Sequence, residues 1–229
     1  MGLPSSGRNT ICGRFTRHLN VICIDEFDDA TLDKIYGSVV KWHFAQHEDA
    51  AMQSLDKAVW RRRAGTTHDG DLPPTPAKSH YVFNLRDFSR VVSGLLLVPN
   101  GALSSSEKLV RLWLHEVYRV FHDRLRWDKK CIVREVAEAV FGQKLRHVLG
   151  HIVGEGEAEV TPEHLSRLIF GDFMIPDAEE KTYDEIQSMG DLTQMTENYL
   201  EEHNTVSKSS MSLVMFQYVV QHVARSAGS

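Results

Sequence analysis

Apolar residues recur along most of this chain at intervals of three and four, the spacing that turns one face of an α-helix toward a core. Leu32, Ile35, Val39, Trp42 and Phe44 follow Asp28 and Asp29, either of which caps a helix. A second helical stretch runs from about residue 50 to 63, before the clearest loop of the sequence, Ala64 to Pro76. Asn84 caps the next helix, with Leu85, Phe88, Val91, Val92 and Leu95 inward and Pro99-Asn100-Gly101 as its stop. Ser104 to Ser106 opens a long helix predicted to reach Leu125, and Glu107 stands at capping-box distance from Ser104. Another covers roughly Asp128 to Phe141. Thr161-Pro162 starts a helix that should run to Phe170 and stop at Gly171, with Pro162 at the first helical position. Tyr183 to Ile186 reads as a short turn, and Leu192–Glu202 and Met211–Ser226 as two further helices.

One segment breaks the pattern. Asn20-Val21-Ile22-Cys23-Ile24 is a short β-branched run whose nearly continuous apolarity predicts a strand buried on both faces. A lone strand is not a fold, and no partner strand is visible elsewhere. The expectation is therefore a loop over 1–18, one strand, and a mainly α bundle after it.

Bulk properties narrow the classes. The chain has 229 residues, a formal net charge of −5 and three cysteines, Cys12, Cys23 and Cys131, none in CxxC spacing. That count suggests neither a disulfide framework nor a zinc site, and reduced thiols in an intracellular setting fit best. The charge gives no footprint for nucleic acid; Arg61-Arg62-Arg63 reads as a solvated helix end. No apolar run is long enough to span a bilayer, so membrane partners are not expected.

Candidate chemistry is sparse. His115-Glu116-Val117-Tyr118-Arg119 resembles a zinc-protease helix, but Arg119 stands where the second ligand belongs. His122 lies two turns away from His115, so this helix should pack rather than ligate. His43 and His47 are four apart, but no carboxylate accompanies them. Gly2-Leu3-Pro4-Ser5-Ser6-Gly7-Arg8-Asn9 lacks the Lys-Ser/Thr pair of a phosphate-binding loop, and Asp25-Glu26 reads as a strand end. No metal site and no nucleotide hydrolysis by the chain's own residues are expected. The more informative cations are Arg14 and Arg17, just before the strand, and Arg86, in the first turn of a helix, where a cation is mildly disfavoured. Arg86 either faces Asp87 or another nearby acid, or is held for an anionic ligand.

Several of these segments carry a resemblance. Gly7-Arg8-Asn9-Thr10-Ile11 with Arg14-Phe15-Thr16-Arg17-His18-Leu19-Asn20 looks like the dynein heavy chain segment after the fourth core strand of an AAA+ module. Pro76 to Val91, with Val82-Phe83-Asn84-Leu85-Arg86-Asp87-Phe88 at its centre, resembles the lid of the third module in the axonemal version. Arg111-Leu112-Trp113-Leu114-His115-Glu116, Arg119-Val120-Phe121, Asp123-Arg124-Leu125 and Phe170-Gly171-Asp172-Phe173-Met174 extend the likeness over nearly the whole chain. Two departures stand out: the loop at Gly2–Asn9 is less glycine-rich than the family pattern, and the segment from Trp42 to Pro73 is shorter and more polar.

The resemblance implies a mainly α, AAA+ lid-type helical bundle preceded by one remnant strand of the α/β large subdomain. Residues 1–27 would end that large subdomain, 28–150 would form the helical small (lid) subdomain, and 151–229 would lead into the next module. The next phosphate-binding loop would follow shortly after Ser229. Arg86 matches the sensor-2 arginine, which would reach nucleotide phosphates, and Arg14 or Arg17 matches the arginine finger aimed at the preceding module's site. The parent would be a minus-end-directed microtubule motor of the axoneme using ATP and ADP. Its partners would be neighbouring AAA+ modules, the microtubule, and dynein light and intermediate chains. This segment would be a regulatory part without hydrolytic activity or tightly bound nucleotide of its own. The alternative is a stand-alone helical interaction protein related to an AAA+ lid.

Overall fold

The computed structural model describes residues 11–22, 28–45, 85–103, 105–125, 144–150, 152, 160–176 and 181–227. The helices expected near 50–63 and 128–141, the loop 64–76 and the segments Gly2–Asn9 and Asp25-Glu26 lie outside the described residues.

The fold is mainly helical. In chain order the described helices are α1 (Gly13–Thr16), α2 (Asp29–Phe44), α3 (Leu85–Leu97), α4 (Ser106–Val120), α5 (Lys144–Val148), α6 (Pro162–Ser166), α7 (Met189–Val206) and α8 (Gln217–Ala227). Two-residue strands β1 (Phe170–Gly171) and β2 (Asp184–Glu185) pair antiparallel, with Phe170 opposite Glu185 and Gly171 opposite Asp184.

Helix α4 is the axis of the bundle. Every residue from Leu112 to Tyr118 is buried, so it is covered on all sides. Its start differs from the expected Ser104–Glu107 box: Ser105 is the cap, its hydroxyl accepting from the Lys108 amide at 3.2 Å. It also ends earlier than expected, with a 3₁₀ turn over His122–Arg124 carrying the chain to Leu125. Against it packs α3, which turns Val91, Val92 and Leu95 inward as its spacing required. Helix α2 is capped by Asp28, which accepts from the Thr31 amide at 2.9 Å. Tyr36 of α2 meets Phe88 of α3 edge-on at 5.0 Å.

The inward stripe of α2 is Leu32, half-buried Tyr36, Val40 and Phe44, each four residues on, whereas Ile35, Val39 and Trp42 are exposed. Leu32 and Phe44 face inward as expected, while between them Tyr36 and Val40 take the places expected of Ile35 and Val39. Val21 and Ile22 are also exposed and unpaired among the described residues, in place of the strand buried on both faces; Cys23 and Ile24 lie outside them.

The largest departure lies after α6. The helix stops at Ser166 and does not reach Phe170. Leu168, Ile169 and Phe170 are all buried, but Leu168 and Phe170 enter the large core while Ile169 enters a second, smaller one. Consecutive side chains pointing to opposite faces require extended backbone, so the segment becomes a strand. Residues 183–186 follow the same logic in place of the expected turn. Tyr183 enters the large core and Ile186 the small one, and the Ile186 amide donates to the Ile169 carbonyl at 2.9 Å. The small core is completed by Leu192 of α7 and by Val220 and Ala224 of α8. Helix α8 starts at Gln217, not at Met211 as the sequence suggested.

Candidate functional site

Burying α4 on all sides forces its polar residues to find partners, because an unpaired charge in a core is costly. Four of them do so by reaching toward the segment after residue 160. Arg111 forks onto Glu185 of β2, with Nε to Oε1 at 2.8 Å and Nη2 to Oε2 at 3.0 Å, and also donates to the Val148 carbonyl at 3.2 Å. Lys108 contacts the Asp184 carboxylate at 2.6 Å. Glu116, fully buried, accepts from Arg119 Nη2 at 2.7 Å on Oε2 and from the Tyr183 hydroxyl at 2.9 Å on Oε1. His115 donates Nδ1–H to the Leu168 carbonyl at 2.9 Å, since a carbonyl only accepts. Beyond α4, Arg225 of α8 bonds Asp123 at 2.9 Å and sits 5.4 Å from the Tyr118 ring centroid.

The electrostatics follow from this burial. Desolvation holds the His115 imidazole at a pKa of about 4, below the ordinary 6.5. Burial raises Glu116 above the usual carboxylate range although Arg119 and Tyr183 oppose it. Tyr183 is raised by burial and by the adjacent Glu116 charge. Burial also works against the Asp123 carboxylate, but its bond from His122 and the Arg225 charge outweigh that and lower it. Glu116 is further fenced by Gly94 of α3: a β-carbon there would sit 2.1 Å from Glu116 Cδ.

The residues of the metal-like run have these neighbours. His115 and Glu116 are taken by Leu168, Arg119 and Tyr183, and His122 stacks on Tyr118 at 3.7 Å between centroids. His43 lies edge-on to Phe44 at 5.2 Å, and His47 is outside the described residues.

The three expected site arginines are all exposed. Arg86 lies in the first turn of α3. Its neighbour Asp87 is buried and is gripped by Arg124 at 2.9 Å and by Arg90 at 3.7 Å, so that carboxylate is committed to the bundle. Arg14 belongs to α1, a single turn that buries none of its residues, and Arg17 caps that turn, its Nε donating to His18 Nε2 at 2.7 Å.

Comparison with known proteins decides the family. Residues 63–150 match the AAA+ lid domain family. Over 98% of its length the chain is 45% identical to human dynein axonemal heavy chain 3. The chain belongs to the dynein heavy chain family. It is also 36% identical to rat dynein axonemal heavy chain 12 and 32% identical to human dynein axonemal heavy chain 6, again over 98% of the chain. It spans 6% of the length of the human heavy chain 3 and 8% and 5% of the other two. Within this dynein heavy chain sequence the lid match covers α3, α4 and α5. The ties described above run from α4 to the residues after 160, beyond the matched lid.

Proposed function

We propose that this chain works as the lid, and the passage beyond it, of a regulatory AAA+ module in an axonemal dynein heavy chain, the third module of the ring. The heavy chain around it would drive minus-end-directed movement on microtubules with ATP and ADP, in contact with neighbouring AAA+ modules and with light and intermediate chains. The observation that carries this reading is 45% identity over 98% of the chain to an axonemal heavy chain, together with the AAA+ lid match over 63–150. In it, residues 1–27 close the large subdomain, 28–150 form the lid and 151–229 lead to the following module.

Arg86 is the sensor-2 arginine of this reading. The resemblance of Val82 to Phe88 to the family's lid, with Arg86 exposed in the first turn of α3, supports this role. A guanidinium there offers forked donors to phosphate oxygens. Arg14 or Arg17, on the exposed turn around α1, is the arginine finger for the preceding site. The chain supplies these side chains without hydrolysing nucleotide itself.

The test is nucleotide affinity of the intact heavy chain with and without Arg86→Ala. Losing charged hydrogen bonds to phosphate costs roughly 1.5–3 kcal/mol, so affinity at the third module should fall about 10- to 100-fold. Unchanged affinity there would remove the sensor role from Arg86.

A further inference from the structure

We infer that Tyr36 is a positioning residue for Arg86: from α2 it bonds Ser89 and so staples the first turn of α3, the turn that sets where the Arg86 guanidinium reaches. This role rests on Arg86 meeting nucleotide phosphate, as proposed for the third module.

The bonds run in one direction. Ser89 Oγ donates to the Leu85 carbonyl at 3.0 Å. A hydroxyl carries one hydrogen, so the same oxygen accepts from the Tyr36 phenol, which lies within hydrogen-bond distance. Linked hydrogen bonds polarise one another, so the bond from Tyr36 strengthens the one to Leu85. Leu85 and Ser89 stand on either side of Arg86, and their link closes the turn that carries it. The Tyr36 ring adds a second contact, edge-on to Phe88 at 5.0 Å. Two helices 53 residues apart in sequence thus meet at the turn of Arg86.

The start of a helix is where such a staple matters. Its first amides have no intrahelical acceptor, and helix ends fray. On the other side of the turn, Arg124, from the 3₁₀ turn after α4, grips Asp87 at 2.9 Å. Leu85, Asp87, Phe88 and Ser89 are therefore all tied, and exposed Arg86 stands among them. Forked recognition of phosphate depends on angle as well as distance. A displacement of about 1 Å can cost a site about 100-fold. Without the Tyr36 bond, Asp87 stays gripped and the turn gains freedom to rotate about it. Arg86 then keeps its charge and loses its aim.

The experiment is an ADP titration of the intact heavy chain, read at the site whose affinity Arg86→Ala lowers. Tyr36→Phe keeps the ring against Phe88 and removes only the hydroxyl. It should weaken ADP binding there about five-fold, the worth of one hydrogen bond. Added to Arg86→Ala, the same change should cost less than about two-fold, because the two residues act through one contact. Ser89→Ala removes the acceptor of the same bond and gives the same comparison if Tyr36→Phe does not fold. Unaltered ADP affinity in Tyr36→Phe, or an equal loss with and without Arg86, would overturn the positioning role and leave the phosphate contact of Arg86 standing. Arg86→Ala that lowers ADP affinity at no site would overturn that contact itself, and the role of Tyr36 with it.

Discussion

Arg111 and Glu185, 74 residues apart, meet in a two-bond fork, with Nε to Oε1 at 2.8 Å and Nη2 to Oε2 at 3.0 Å. Their side chains are only 14% and 5% exposed, so neither charge has ready recourse to water. Breaking such a pair by removing one partner strands the other. Arg111→Ala should therefore lower unfolding stability by about 3 kcal/mol. Arg111→Lys should recover only part of that, because an ammonium does not reproduce the fork. Urea denaturation of the three chains checks this; a Lys variant as stable as the parent would show that charge alone, without the fork, holds β2.

Gly94 and Gly37 both sit inside helices, where alanine is intrinsically better by about 1 kcal/mol. Their surroundings reverse the outcome at one site. At Gly37 the nearest atom to a new β-carbon is the flexible Asp33 Oδ1 at 3.3 Å, so Gly37→Ala should be neutral or stabilising. At Gly94 the new carbon falls 2.1 Å from Glu116 Cδ, and that carboxylate is pinned by Arg119 and Tyr183. Gly94→Ala should cost about 2 kcal/mol. Thermal unfolding of both variants gives the two signs; a stabilised Gly94→Ala chain would mean that Glu116 moves aside freely.

Ser105 caps α4 through its hydroxyl at 3.2 Å from the Lys108 amide. Ser105→Ala should lower stability by about 1 kcal/mol, and Ser105→Gly by only a few tenths. Equal costs for the two would place the loss in the backbone and not in the cap bond.

The pH dependence has a definite sign at His115. Its folded pKa, about 4, lies below the ordinary 6.5, so the unfolded chain takes up the proton first as pH falls. The contribution is complete above the unfolded value and is lost on descent toward the folded one, roughly 3 kcal/mol in all. Glu116, raised by burial, works in the opposite sense: its contribution is complete below the ordinary 4.5 and is lost as pH rises through the folded value. The His115 part is isolated by difference. Chemical denaturation across mildly acid pH should show the parent falling more steeply than His115→Asn; parallel curves would contradict a buried neutral histidine.

The helical frame was readable because helix periodicity and caps are local properties. Asp28, the inward face of α3 and the start at Thr161-Pro162 needed only a few residues of context. The strand pair was not readable, because Leu168-Ile169-Phe170 is apolar in any conformation. Its extended shape is set by two separate cores on opposite sides of the backbone. The same holds for α2, where Ile35 and Val39 fit a helical stripe as well as Tyr36 and Val40 do, and only the position of α3 selects the latter. The expected site arginines rest on resemblance, and the polar ties of α4 had no such guide. Glu116 stood out only in a run that resembled a metal motif, Arg111 and Glu185 carried no chemical motif, and the available signal was a helix with enough apolar residues to be enclosed yet five charged residues, Glu107, Lys108, Arg111, Glu116 and Arg119, on it. Such charges must be answered from elsewhere in the chain.

Those ties make one claim about the whole: α4, the β1–β2 pair and α8 open together as a single body, so any movement of the lid is passed to the segment after residue 160. Native-state hydrogen exchange at neutral pH tests it most directly. The Phe121 amide at the end of α4, the Ile186 amide on β1–β2 and the Val220 amide of α8 should share one opening free energy to within about 1 kcal/mol, and Arg111→Ala should lower all three together. Exchange of Ile186 and Val220 at a much lower free energy than Phe121, unmoved by Arg111→Ala, would show two bodies that only touch.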